Sequence, residues 1–244
     1  MGIALLAHGK YNTTPGSTTC AAIAALILAC TMMPAHAGRP MMVDDAAIVE
    51  PNHCQLESWV YKRSIGTEYW AVPACNVGGK LEVALGGARI VGGGNNANLA
   101  VLQVKTVFKP LDRHGWGGGL VVGTQSLPDH GGIGDVFAAV PLSVSTLSGA
   151  LLVHTNAGLL RSKATRDLQA TWGIGVEAAL TERSALTAET SGQQGAKPLV
   201  QLGIKHWLVK DRVQLDATYG GHPDNASSGR FVTLGLVLFT NFSR

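Results

Sequence analysis

Residues 171–180 read TWGIGVEAAL, and large apolar side chains alternate in them with small or polar ones. Trp172 and Ile174 fall on one face of an extended chain, and Gly175 and Glu177 fall on the other. Because successive side chains of a β-strand point to opposite faces, this period of two residues predicts a strand. One face of the strand is apolar, and the opposite face is small or polar.

The same alternation returns along the chain after Ala37, with no sustained helical period and no apolar run long enough for a membrane helix. It predicts about twelve strands, near residues 53–62, 67–75, 79–90, 98–109, 116–125, 136–146, 150–160, 169–180, 185–191, 198–208, 213–220 and 230–240. Several reach the roughly 9–11 residues that a tilted transmembrane strand needs. Soluble strands are most often about 5–6 residues long.

The predicted connections differ in length. Short turns fall at 76–79, 147–149, 181–184 and 209–212. Longer loops, rich in Gly, Asn, Asp or Ser, fall at 92–97, 125–135, 161–168, 192–197 and 221–229. If the strands run up and down, every long loop lies on one rim and both ends of the barrel lie on the other. That asymmetry is typical of outer-membrane barrels, so we predict an all-β, antiparallel, up-and-down transmembrane β-barrel of about twelve strands.

The composition agrees with a membrane barrel. Charged residues make up 14% of the chain, and 31 residues are glycine. A soluble domain carries about a quarter charged residues. The net charge of +3 is small, which argues against a nucleic-acid partner. A glycine-rich β-sandwich is also compatible with composition alone.

The N-terminus, residues 1–37, is typical of a cleavable signal peptide. Lys10 precedes an apolar run at 20–33, and the residues AHA at 35–37 satisfy the small-x-small rule for cleavage. A lipoprotein site at Cys30 is a minor alternative. The apolar run is shorter than the roughly 20 residues that span a bilayer, so we expect a leader rather than an anchor.

Cleavage after Ala37 divides the chain into three parts. The signal peptide is followed by a short periplasmic N-terminal segment, 38–52, and by the barrel, 53–244. Export through the leader and a barrel fold together predict a bacterial outer-membrane location.

Two cysteines remain after cleavage, Cys54 and Cys75. If the first hairpin turns at residues 64–65, these cysteines face each other across two strands, and Trp59 faces Trp70. Cross-strand cysteines are within reach of a disulfide, and an exported chain meets an oxidising compartment. We therefore predict a Cys54–Cys75 disulfide; two unpaired buried thiols are the alternative. With two cysteines a four-cysteine zinc site is excluded, and we expect no metal and no cofactor.

Polar residues at alternate strand positions are predicted to face the lumen. They are Glu57, Glu82, Arg89, Gln103, Lys105, His154, Asn156, Glu177, Glu189, Gln201, Lys205, Gln214 and Asp216. The hairpin turning at residues 210–211 places Lys205 opposite Asp216. These groups either form a network that fills a narrow barrel or line a water-filled passage.

Aromatic residues fall near the strand ends or in their upper halves, where membrane barrels carry interface girdles. They are Trp59, Tyr69, Trp70, Trp116, Trp172 and Trp207.

A hydrolase must be considered, because some outer-membrane barrels are lipid hydrolases with a His-x-Ser pair. The stretch from His154 has Asn156 where that serine belongs. Without a nucleophile beside the base, no attacking group is available. We therefore predict that the chain is not an enzyme.

Four pieces of the second half resemble the outer-membrane barrels of the MetA-pathway of phenol degradation family and related outer-membrane transporters. They are VHTNAG at 153–158, WGIGVE at 172–177, AETSG at 188–192 and QLGIK at 201–205. The resemblance implies an outer-membrane location and uptake of small hydrophobic molecules. It transfers no binding residue to this chain.

The sequence thus predicts a porin-like or structural outer-membrane barrel, with passive uptake of small molecules as one role. Its expected partners are outer-membrane lipid, the barrel-assembly machinery and a small-molecule solute. The alternative is a secreted soluble β-sandwich or lipocalin-like binding module, whose charges would face outward and whose apolar residues would face inward.

Overall fold

The computed structural model describes residues 39–92, 96–127, 133–223 and 229–241. It contains twelve strands: β1 His53–Arg63, β2 Gly66–Asn76, β3 Leu81–Val91, β4 Ala97–Lys109, β5 Trp116–Ser126, β6 Asp135–Thr146, β7 Leu151–Arg161, β8 Leu168–Ala179, β9 Ser184–Gln193, β10 Leu199–Val209, β11 Val213–Gly221 and β12 Phe231–Asn241. A 3-10 turn at Leu147–Gly149 follows β6. Within these ranges, no helix has the length and apolar character to cross a membrane.

The strands form one closed antiparallel barrel in sequence order, and β1 pairs with β12 to close it. The predicted fold class is therefore confirmed, and the strand bounds agree to within a few residues. The signal peptide prediction concerns residues that lie outside the described part of the chain.

The two rims differ as expected. One rim carries the β1–β2 hairpin, the connections at 162–167 and 194–198, and the strand ends that border the connections between β3 and β4, β5 and β6, and β11 and β12. The opposite rim carries the connections at 77–80, 110–115, 147–150, 180–183 and 210–212, together with the start of β1 and the end of β12. We call these the loop rim and the turn rim.

The outer face of the barrel is apolar. Phe108 is 62% exposed, Leu202 is 62% exposed and Leu234 is 63% exposed. The residues with the opposite parity are mostly polar and buried, for example Gln201 and Thr233. A soluble sandwich or lipocalin would have these faces reversed. An exposed apolar belt around a polar interior is the arrangement that lipid requires.

The register of the first hairpin is the predicted one. Cys54 lies opposite Cys75, and the two residues form a disulfide. They lie next to the turn rim, so the bond fastens β1 to β2 where the chain enters the barrel.

We expect both cysteines to resist alkylation in the unfolded, unreduced protein and to react fully after reduction. A disulfide that closes a loop of 21 residues stabilises by about 3 kcal/mol in the chain-entropy model, so reduction should lower the urea midpoint of unfolding. A Cys54→Ser/Cys75→Ser variant is the control, because its midpoint should not respond to reductant. Ready labelling without reduction would refute the bond.

Candidate functional site: the lumen and its N-terminal segment

Residues 39–50, called here the luminal segment, lie inside the barrel. Val43, Asp45, Ala46 and Val49 are all less than 9% exposed. We expected 38–52 to be a short periplasmic segment. The structure instead places the described part of it against the inner wall before the chain enters β1.

The luminal segment follows the wall from strand to strand. At its start, the backbone carbonyls of Arg39 and Pro40 accept hydrogen bonds from Gln214 on β11 and Gln201 on β10. Further along, backbone N–H groups donate to side chains of the wall: Val43 to Glu189 on β9, Asp44 to Asn156 on β7, Ala46 to Ser143 on β6 and Val49 to Glu82 on β3. A segment without regular secondary structure must satisfy its backbone groups elsewhere. The amide, hydroxyl and carboxylate side chains of the wall provide these partners.

Glycines make room for the segment where it crosses β8. A Cβ atom at Gly173 would lie 2.7 Å from Val43 Cγ2, and one at Gly175 would collide with the end of Met41. Real Cβ atoms do not approach other atoms this closely. The small inner face of β8 is therefore explained by the segment that packs on it.

Lys105 anchors the segment by charge. Its Nζ lies 2.6 Å from Asp44 Oδ1 and 3.0 Å from Asp45 Oδ1. Lys105 is 4% exposed and Asp45 is 6% exposed. A buried charge is costly unless it is paired, so this ion pair holds the segment and the β4 wall together.

Arg39 is the second charged anchor. Its Nη2 donates to Asp216 Oδ1 at 3.1 Å and to Thr233 Oγ1 at 3.0 Å. Its guanidinium lies 4.3 Å from the centre of the Trp59 ring. A side chain at Gly235 would collide with Arg39 and Asp216, so this ion pair needs a glycine beside it.

The register predicted for the β10–β11 hairpin is present, with Lys205 opposite Asp216. The ion pairs differ from the expected one, because Asp216 binds Arg39. Lys205 Nζ instead lies 2.5 Å from Glu177 Oε2 on β8. Its long side chain reaches across β9, where its neighbour is the small residue Ala185.

The predicted lumen-facing residues lie on the inner face, with one exception. Arg89 is exposed on the outer face, and its Nη1 donates to Asn98 Oδ1 at 2.9 Å. Strand β3 contains no bulge against β4, so a residue seven positions after Glu82 must face the opposite side. The expected inward position of Arg89 is therefore wrong.

The aromatic residues divide between the two faces. Tyr69, Trp116 and Trp172 are between 42% and 52% exposed on the outside, as an interface girdle requires. Trp59 and Trp70 instead stack on each other within the lumen, and Trp207 is 3% exposed. The alternation of β1, β2 and β10 assigns these three rings to the inner face.

A cavity of about 990 Å³ remains beside the luminal segment. The segment forms one side of it, and inner-face residues of β1–β4 form the other. The cavity reaches Arg63 and Glu68 at the loop rim and residues 210–212 at the turn rim. The segment thus narrows the lumen without filling it.

Ser143 and His154 are hydrogen-bonded, with 2.8 Å between Ser143 Oγ and His154 Nδ1. The pair has the residue types of a nucleophile and its base. Ser143 is 0% exposed, and its Oγ accepts the Ala46 N–H. A substrate carbonyl cannot reach this oxygen while the luminal segment is in place.

In the part of the chain that the structure describes, no three His, Cys, Asp or Glu side chains are grouped in a way that could hold a metal ion.

The closed barrel, its apolar outer belt and its polar lumen define an outer-membrane β-barrel with porin-like architecture. The chain belongs to the family described as Uncharacterised conserved protein UCP029691, whose model matches residues 25–239. A comparison with curated proteins finds no match.

Solved porin structures share the fold. The chain is similar to the KdgM porin in complex with disordered oligogalacturonate, at 7% identity over 75% of this chain and 98% of that chain, with a TM-score of 0.62. It is also similar to the NanC porin, at 11% identity over 77% of this chain and 99% of that chain, with a TM-score of 0.56. These likenesses show a shared barrel fold.

Proposed function

We propose that this protein is a passive outer-membrane channel for small polar solutes. The observation that carries the proposal is the cavity that extends from one rim to the other between the luminal segment and strands β1–β4. A route lined by polar and charged side chains lets a solute cross without exposing its polar groups to lipid.

The charges along the cavity favour weak selectivity between ions. Its positive side chains are Arg39, Arg63, Lys105, Lys210 and Arg212. Its negative side chains are Asp44, Glu50, Glu57, Glu68, Glu82 and Asp211. Selective pores use rings of one sign, whereas here the two signs nearly balance. The KdgM complex contains oligogalacturonate, but this nearly neutral lining does not favour a polyanion.

Single-channel recording in planar bilayers tests the proposal. The purified barrel should give discrete conductance steps in KCl, with a reversal potential close to zero in a salt gradient. Bilayers that stay sealed after verified insertion would contradict the channel and favour a structural role.

The proposed location and processing have a separate test. The protein should sediment with outer membranes, and its gel mobility should change on boiling, because a closed barrel resists detergent until it is heated. The mature chain should begin at Gly38 if cleavage follows Ala37. Recovery in the soluble fraction with unchanged mobility would contradict the membrane barrel.

Two finer hypotheses accompany this proposal. The first is that the barrel-assembly machinery inserts the chain and that outer-membrane lipid contacts it; the closed barrel and its apolar outer face support this hypothesis. Uptake of hydrophobic molecules, which the MetA-pathway resemblance implies, stays a prediction, and the charged lining supports polar solutes better.

A further inference from the structure

The β1–β2 wall of the cavity carries an aromatic platform, Trp59 and Trp70. The two residues are opposite each other in the hairpin, and their ring centroids are 5.0 Å apart with an angle of 3° between the planes. Both rings line the cavity. Rings in this position do not contact lipid, so membrane anchoring does not account for them.

Charged groups of both signs surround the platform. The Arg39 guanidinium covers Trp59. Trp70 Nε1 donates to Glu68 Oε2 at 2.9 Å, and Glu68 is ion-paired with Arg63. Glu57 lies two residues from Trp59 on the same face and also lines the cavity. Hydrogen-bond donors and acceptors therefore stand beside an apolar ring surface.

We propose that this platform is a binding subsite for a neutral sugar ring, which deepens the channel function proposed above. Indole faces provide apolar contact area while the edge of the ring remains polar. The C–H face of a pyranose can stack on the side of Trp70 that is turned away from Trp59. The sugar hydroxyls can donate to Glu57 and Glu68 and accept from Arg39. Ligand sites commonly combine an apolar surface with a few placed polar groups.

Other ligand classes fit the site less well. The Arg39 guanidinium beside the platform would repel an organic cation. Glu57 and Glu68 would repel an anion. A flat hydrocarbon would displace water from these charged groups and could not replace the hydrogen bonds that the water makes, so its binding would be unfavourable.

Isothermal titration calorimetry on the whole protein tests the subsite, with maltose as the probe. The micelles should be of lauryldimethylamine oxide, because a maltoside detergent would compete. Maltose should bind saturably, and choline and glucuronate should bind more weakly. Trp70→Ala should weaken maltose binding on the order of tenfold, which corresponds to about 1.4 kcal/mol.

Two variants serve as controls. Trp172→Ala removes an indole from the outer face and should leave maltose binding unchanged. Trp70→Phe keeps an aromatic ring and should lose less affinity than Trp70→Ala. Heat-modifiable mobility verifies that each variant is folded.

The outcomes separate this inference from the channel itself. A conducting protein that does not bind maltose, or that binds it equally after Trp70→Ala, would overturn the subsite and leave the channel intact. Tighter binding of choline or glucuronate would also overturn it. Maltose binding that depends on Trp70, in a protein that never conducts, would support the subsite and contradict the channel.

Discussion

Deletion of residues 39–49 should raise the single-channel conductance by about threefold or more, because the open cross-section of a barrel governs what it passes. The luminal segment lies against the inner wall from β11 to β3. Removing it should merge the space it occupies with the existing cavity.

The barrel should survive this deletion. Its closure depends on the ladder between β1 and β12, which begins at His53, beyond the deleted residues. The wall groups that lose their partners, such as Glu189 and Gln201, would face water instead, and water can satisfy them. Unchanged heat-modifiable mobility would verify that the shortened chain has folded.

A peptide control shows whether the deletion raises the conductance because the segment no longer obstructs the lumen or because the barrel itself has changed. A synthetic peptide of residues 38–50, added to the deletion variant, should reduce the conductance towards the wild-type level. A scrambled peptide of the same composition should have no effect. Equal conductance of the deletion variant and the wild type would show that the luminal segment does not limit the passage.

The barrel was predictable because its evidence is periodic. The alternation in residues 171–180 assigns Trp172 outward and Glu177 inward, as the structure has them. The tight turn after Arg63 sets the register that joins Cys54 to Cys75. A shift of the pairing register by one residue would turn every side chain of a strand to the opposite face of the barrel. Alternation and turn length together therefore specify how each strand pairs with its neighbour.

The luminal segment was not predictable in the same way. Residues 39–50 have no period, and their position depends on hydrogen bonds to side chains of six separate strands rather than on a local pattern. One signal was present. The inner face carries many amide and carboxylate groups, and a polar wall of this kind needs either water or a backbone to bind.

The ion pair predicted between Lys205 and Asp216 does not form, because long side chains can reach partners beyond the residue that is opposite them. Lys205 and Asp216 are opposite each other, yet each forms its ion pair elsewhere, with Glu177 and Arg39. Register specifies which backbones are adjacent. It does not specify the partner of a long side chain when a small neighbour such as Ala185 leaves space, or when another chain segment enters the lumen.

Lys105→Met should loosen the luminal segment and make the channel flicker. The substitution keeps the apolar stem and removes the charge that Asp44 and Asp45 share. Breaking a buried ion pair by removing one partner costs roughly 3 kcal/mol or more. A free-energy cost of that size raises the fraction of time that the segment spends undocked by a factor on the order of one hundred. Single-channel traces should therefore switch between the wild-type level and the level of the 39–49 deletion.

Lys109→Met is the matched control. Lys109 also pairs with an aspartate, Asp112, but their side chains are 34% and 72% exposed. Exposed pairs contribute about 0–1 kcal/mol, so this variant should behave as the wild type does. If Lys105→Met and Lys109→Met give the same traces, the buried pair does not hold the segment.

A triple variant, Lys105→Met with Asp44→Asn and Asp45→Asn, distinguishes two effects of the single substitution. One is the loss of the attraction between the ion-pair partners, and the other is the cost of leaving the two carboxylates unpaired. Replacing every member of a buried ionic cluster can be nearly neutral, whereas removing one member leaves an unpaired charge. We therefore expect the triple variant to flicker less than Lys105→Met alone. Equal flicker in both would mean that the segment depends on the attraction itself, and a return to steady current would mean that its backbone hydrogen bonds to Glu189, Asn156 and Glu82 are sufficient to hold it.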